Sequence, residues 1–156
     1  MKECRVKDFL RKSHVTFSCI NHPLTFTAQR TAHAAHIPGQ ELAKPVIIKV
    51  KGQLVMVVLS ANQKLNLRML KNIYKTEDVE LAREMDFISA FPDCEVGAMP
   101  PFGNLYGLEE IISRDLAKDE DIVFNAGTHT ELIKMKYNDF EKLVSPRVLD
   151  FKIKLR

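Results

Sequence analysis

No stretch of this chain is apolar enough to span a bilayer: the longest unbroken apolar run is Leu54–Leu59, far short of the ~20 residues a membrane helix needs. The N-terminal MKECRVKDFLRKSH carries too many charges to serve as a secretory signal. Cysteine is scarce. Cys4, Cys19 and Cys94 are odd in number and widely spaced, which argues against a disulfide framework and fits a reducing, cytoplasmic compartment. Internal repeats, low-complexity segments and linkers are absent. Ligands for a metal are also lacking: His33 and His36 fall three apart in an Ala-rich segment, but no further histidine or cysteine accompanies them, so no metal or cofactor is expected. The net charge is only +3. A length of 156 residues suits one domain with a sizeable core and is too short for two. That domain is expected to occupy residues 1–156, with a core over about 15–144 and a C-terminal tail over 146–156.

The most informative stretch that is present is Cys94–Gly107, CEVGAMPPFGNLYG. Pro100 and Pro101 fix φ and remove two donors, and Met99, preceding a proline, is pushed toward an extended conformation. With Gly97 and Gly103 on either side, this is a rigid loop able to present free backbone N–H groups to a ligand. Charge is unevenly distributed along the chain. Lys44, Lys49, Lys51, Lys64, Arg68, Lys71 and Lys75 occur without an acid between them, and Glu77–Glu95 carries seven acids against Arg83. Such segregation either gives one face a positive potential that draws a polyanion or disappears when the charges mix on folding.

The pattern of apolar residues predicts a helix over Lys2–Lys12, a strand over Val15–His22, and a helix capped by Thr27 and stopped by Pro38-Gly39. Val46-Ile47-Ile48 and Leu54–Leu59, joined at Lys51-Gly52, read as a hairpin apolar enough to be covered on both faces. A helix over Leu65–Tyr74 with Asn66 as cap follows, then a short strand at Val79–Leu81 and a short helix over Arg83–Ala90. Strands are predicted at Leu108–Ile112, Ile122–Asn125 and Leu132–Met135, with a polar connection over Asp115–Asp121. A helix over Tyr137–Val144 completes the core. Leu149, Phe151, Ile153 and Leu155 alternate, so the tail could pair with a neighbouring sheet edge. The whole reads as one α+β domain, a mixed, mostly antiparallel sheet flanked by helices.

A lysine opening a strand pair (Lys44 in LAKPVIIKVKGQLVMVVL), a G-x-x-x-P loop (Gly97 to Pro101) and a late strand ending in Phe124-Asn125-Ala126-Gly127-Thr128-His129-Thr130 resemble, in that order, the YbaK family. Its members are free-standing aminoacyl-tRNA deacylases related to the editing domain of bacterial prolyl-tRNA synthetases. The resemblance runs from about Val15 to Val144. It implies trans-editing: hydrolysis of the ester that joins a wrong, small amino acid such as alanine, serine or cysteine to the 3′ end of a tRNA. It also implies that no metal or covalent nucleophile is used. Lys44 would contact the nucleotide end, and Gly97 and the backbone around it would position the carbonyl and water. His129 would orient water or the amine, which completes a catalytic set of Lys44, Gly97 and His129. Ala98, Met99, Pro100, Pro101, Phe102, Asn125, Gly127 and Thr128 are the expected substrate-binding residues, and Lys64, Arg68 and Lys71 the expected tRNA contacts. Aminoacyl-tRNA, and a synthetase as a docking partner, are the implied partners of a monomer or weak homodimer. Two other readings stay open. One is a non-catalytic tRNA- or synthetase-binding module. The other is a hydrolase using Cys94 with a histidine base, which Asp93 and Glu95 disfavour by raising the thiol pKa.

Overall fold

The structure, a computed structural model, describes residues 4–150 and 152–154, the last three as backbone only. The first half holds α1 (Arg5–Lys12), β1 (Phe17–Asn21), α2 (Ala28–Ala34), β2 (Ala43–Val50), β3 (Gln53–Ser60), β4 (Gln63–Leu65) and α3 (Leu67–Tyr74). Then come β5 (Val79–Leu81), α4 (Glu84–Phe87), β6 (Glu109–Ser113), α5 (Arg114–Ala117) and β7 (Asp121–Asn125). The chain closes with β8 (Glu131–Lys136), α6 (Tyr137–Val144), β9 (Arg147–Leu149) and β10 (Lys152–Lys154).

The hairpin β2–β3 is the centre of the fold. Its register pairs Val46 with Val57 and Ile48 with Val55 across the Lys51-Gly52 turn. Because side chains alternate along a strand, Ile47, Met56 and Val58 enter the main core with Phe102 and Phe124, while Ile48, Val55, Val57 and Leu59 pack with Leu70 of α3 on the other face. Both faces are therefore covered, as continuous apolar runs require. The hairpin sits inside a five-stranded sheet of order β5-β2-β3-β6-β9, in which β6 runs parallel to both β3 and β9. A second, antiparallel sheet has the order β1-β8-β7, and β10 pairs with β4. The pairings are mostly antiparallel and flanked by helices, but they are divided among three sheets.

Local signals place the helices. Asn66 Oδ1 accepts the Met69 N–H at 3.3 Å to start α3, and Thr27 Oγ1 accepts the Arg30 N–H at 3.2 Å to start α2. Val6 and Leu10 of α1 and Phe140 of α6 are fully buried in the main core, which therefore reaches well N-terminal of residue 15. Phe102 meets both Phe124 and Phe140 edge-on at 5.3 Å. Two expectations change in detail. The polar connection after β6 contains the short helix α5, started by Ser113. The tail pairs with its own chain, β9 on β6 and β10 on β4; Phe151 and Leu155 lie outside the described residues. Among those residues no helix is long and apolar enough to cross a membrane.

Candidate active site

The opening of β2, the start of α2 and the two glycine-containing turns converge on a cleft of about 120 Å³, lined by Lys44, Pro45, Gly97, Asn125 and His129 together with Phe26, Thr27, Ala28 and Thr31. The two turns, thirty residues apart in sequence, are joined by four hydrogen bonds. The Glu95 N–H donates to Gly127 O at 2.7 Å and the Gly127 N–H to Ala98 O at 3.0 Å. The His129 N–H donates to Glu95 Oε1 at 2.7 Å, and His129 Nε2 lies 2.6 Å from Val96 O. A carbonyl oxygen only accepts, so Nε2 carries the proton of this bond and, in the neutral ring, Nδ1 keeps its lone pair. The imidazole is thus fixed in orientation and tautomer, and Phe26 packs against it at 4.9 Å.

Gly97 and Gly127 both adopt positive φ, +83° and +97°. A Cβ on Gly127 would stand 2.5 Å from Cys4 Cβ and 2.8 Å from its Sγ, so this turn must be glycine for both conformation and space. Gly127→Ala should cost about 2 kcal/mol or more of stability in urea denaturation. Gly52→Ala, at φ +81° with open space around it, should cost about 1 kcal/mol, which isolates the clash.

Lys44 is half-buried, and burial lowers its pKa; no carboxylate partners it among the described residues. On the same strand Lys49 lies within 3.7 Å of Glu80 and 3.8 Å of Asp86. A partly desolvated cation without a counter-charge favours an anionic ligand. Asn125 is buried at 8% exposure, and its Oδ1 has no hydrogen-bond partner among the described residues. Gly97 is exposed at the cleft, with a backbone N–H that donates to no group of the described chain. Cation, amide, imidazole and free N–H together suit an acyl ester attached to a phosphate-bearing leaving group.

The structure brings Lys44, Gly97, Asn125 and His129 together and separates the remaining expected residues from them. Ala98, Met99, Pro100, Pro101 and Phe102 are all buried and back the cleft wall without lining it, because the Pro-Pro segment turns inward to the core. Of these, Met99 reaches an adjoining apolar groove with Pro45, Val96 and Gly97. Gly127 is buried behind the wall, and the Thr128 hydroxyl lies 3.4 Å from that of Thr130. Lys64, Arg68 and Lys71 are away from the cleft: the last two ride on α3, which covers the opposite sheet face, and Arg68 bonds Glu77 at 2.8 Å. With Lys49 also held by Glu80 and Asp86, the basic and acidic runs mix on folding. His33 and His36 are exposed, and α2 ends before His36. Cys94 has Cys4, Tyr106 and Asp93 as polar neighbours and no histidine, and its thiol pKa is pushed up by the bond to Cys4 and by burial. With no histidine base beside it among the described residues, it is not poised to attack an ester. Sequence reasoning passed over Phe26, which is 72% exposed beside the cleft; only the fold reveals that exposure.

Comparison with known proteins bears on this geometry. Residues 22–143 match the family model described as an aminoacyl-tRNA editing domain. The proline–tRNA ligases of Staphylococcus aureus strains Newman and JH1 are each 32% identical over 81 residues, 52% of this chain. The aligned part is only 13% of those ligases' length. A solved protein described provisionally as a trans-editing enzyme for prolyl tRNA synthetase superposes with a TM-score of 0.81 at 19% identity, covering 96% of this chain and 95% of its own. A hypothetical protein superposes with a TM-score of 0.84 at 19% identity over 96% and 99% of the two chains. At such identities these two structures speak for the fold. The family match spans most of the chain and includes every residue that lines the cleft, and on that ground the chain belongs to the aminoacyl-tRNA editing domain family.

Proposed function

We propose that this chain is a trans-acting deacylase, which hydrolyses the ester of a mischarged aminoacyl-tRNA and releases a small non-cognate amino acid. The observation that carries this reading is the half-buried Lys44, without a carboxylate partner among the described residues, lining one small cleft together with Gly97 and His129. A volume of about 120 Å³ is well below the ~300–1,000 Å³ of pockets for drug-sized ligands. It suits an aminoacyl group better than a whole nucleotide. Lys44 binds phosphate of the terminal nucleotide. The exposed Gly97 amide faces the ester carbonyl, where a fixed donor stabilises the oxyanion that forms as water attacks. His129 Nδ1 and the Asn125 amide hold that water or the substrate amine, and the departing ribose oxygen takes up a proton. Positioning supplies much of the acceleration, since an aminoacyl ester is already activated. Residues 1–156 form the editing unit, and a synthetase is its docking partner.

The test is deacylation of a panel of mischarged tRNAs, beginning with alanyl- and cysteinyl-tRNA(Pro). Release of one amino acid at least tenfold above the uncatalysed rate is the expected result. Binding of every tRNA with no release from any would assign a non-catalytic recognition module.

A further inference from the structure

Behind the cleft wall, ninety residues apart in sequence, the Sγ atoms of Cys4 and Cys94 lie 3.6 Å apart. Cys4 is the N-cap of α1 and is buried; Cys94 is half-buried and stands three residues before Gly97. The Tyr106 hydroxyl is 3.3 Å from Cys94 Sγ and 3.8 Å from Cys4 Sγ, and it donates to Asp93 Oδ2 at 3.0 Å. Asp93 also accepts the Arg5 N–H at 2.8 Å, so the start of α1 is already tied to this corner. A disulfide has S–S of ~2.05 Å, so the two sulfurs need close by only ~1.5 Å. The third cysteine, Cys19, is exposed on β1 and makes no contact with either.

We propose that Cys4 and Cys94 are a redox-reactive pair that forms a reversible disulfide and thereby displaces the Glu95–Gly97 wall of the cleft. The oxidant is a peroxide. The Cys4 thiolate, which accepts a hydrogen bond from the Cys94 thiol, attacks one peroxide oxygen; a sulfenic acid forms and the other oxygen leaves as water after protonation. The Cys94 sulfur then attacks the sulfenic sulfur, the S–S bond forms, and a second water departs. Two thiols are oxidised by two electrons and one peroxide is reduced to two waters. A dithiol reverses the bond by exchange. The bonding of the first thiol to the second holds the Cys4 pKa below its ordinary value, consistent with this order of attack. In a reducing compartment the bond is transient.

Coupling to the cleft follows from the packing. Cys4 presses directly on Gly127, and residue 95, bonded to Cys94, holds both Gly127 and His129. Drawing the sulfurs together therefore shifts the turn that carries Gly97. Only the effect on hydrolysis rests on the proposed activity; the disulfide itself does not.

The experiment treats reduced full-length protein with hydrogen peroxide, blocks the remaining thiols by alkylation, and maps peptides by mass. A Cys4–Cys94 cross-link lighter by two hydrogens, reversed by dithiothreitol, is expected, with Cys19 still alkylated. Cys94→Ser and Cys4→Ser should each abolish it, and Cys19→Ser should retain it. If Cys4→Ser fails to fold, Cys94→Ser alone decides. Full alkylation of Cys4 and Cys94 after peroxide would overturn the pairing, as would a cross-link to Cys19. Co-purified zinc that shields both thiols from peroxide would also overturn it, in favour of a metal site with Asp93. Oxidation should move the His129 ring resonances in the wild type and leave those of Cys94→Ser in place; unmoved resonances in the oxidised wild type would overturn the coupling. Hydrolysis should fall about tenfold or more, since a 1 Å misplacement can cost ~10²-fold. Absence of hydrolysis in the reduced protein would count against the deacylase reading and leave the disulfide standing on its mass.

Discussion

Lys44→Ala should lower kcat/KM for ester hydrolysis by about 10²-fold, equal to ~3 kcal/mol, the upper range for a hydrogen bond to a charged group. The fold should survive the change. Lys44 is half-buried with no acidic partner among the described residues, so its removal takes away a desolvated charge and breaks no ion pair. Thermal denaturation should show an unchanged or raised midpoint. The pH dependence carries a definite sign. Burial depresses the Lys44 pKa from 10.5, so the ammonium loses its proton at lower pH than a solvated lysine would. Activity that depends on the cation therefore declines on the alkaline side, through the depressed folded value. Over the interval from that value up to the ordinary one the unfolded chain binds more protons, so stability rises with pH there. Lys44→Arg, charged throughout, should remove the alkaline decline. Equal deacylation by wild type and Lys44→Ala would dismiss the lysine from the mechanism.

Glu110→Gln should make the protein more stable above neutral pH, with a flatter stability profile. Glu110 is only 6% exposed. Its Oε1 accepts the Gly103 N–H at 2.7 Å, and its Oε2 has no partner among the described residues. Burial raises its pKa from 4.5 to about 8. The folded state thus favours the neutral acid. Its contribution is fully present below the unfolded value of 4.5 and is lost as pH rises toward 8, on the order of 5 kcal/mol in all. Glutamine keeps the acceptor for Gly103 and cannot ionise. Urea denaturation at about pH 6 and about pH 9 should show the wild type weakening and Glu110→Gln holding level. The variant should lead by about 2 kcal/mol or more at the alkaline end. A wild-type profile as flat as the variant's would show that Glu110 titrates as an exposed carboxyl.

Glu110 also marks the limit of what the sequence makes legible. In Glu109-Glu110-Ile111-Ile112 the two acids look alike, yet one is exposed and the other buried. Only the pairing of β6 with β3, fifty residues away, decides which. Signals that are local were readable: the Lys51-Gly52 turn, the Thr27 and Asn66 caps, and the apolar strand pair. The two glycine turns were readable as well, because unusual backbone leaves a residue signature, whereas Lys44 stood out only through the family resemblance. The orientation of Ala98–Phe102 was not, since prolines rigidify a segment equally whether it faces solvent or core. Nor was the fate of the charges. Lys49 meets Glu80 and Asp86 only because β5 returns to β2, and nothing in a run of like charges announces its partner.

The staple between the two turns has one more consequence. Each of its four bonds uses at least one main-chain group, and two use nothing else. Main-chain amides and carbonyls belong to every amino acid, proline lacking only the amide. A wall made this way specifies few letters of the alphabet: glycine where φ is positive or space runs out, and a glutamate and a histidine where side chains enter. Its architecture is therefore tolerant of rewriting at the other positions of the two turns.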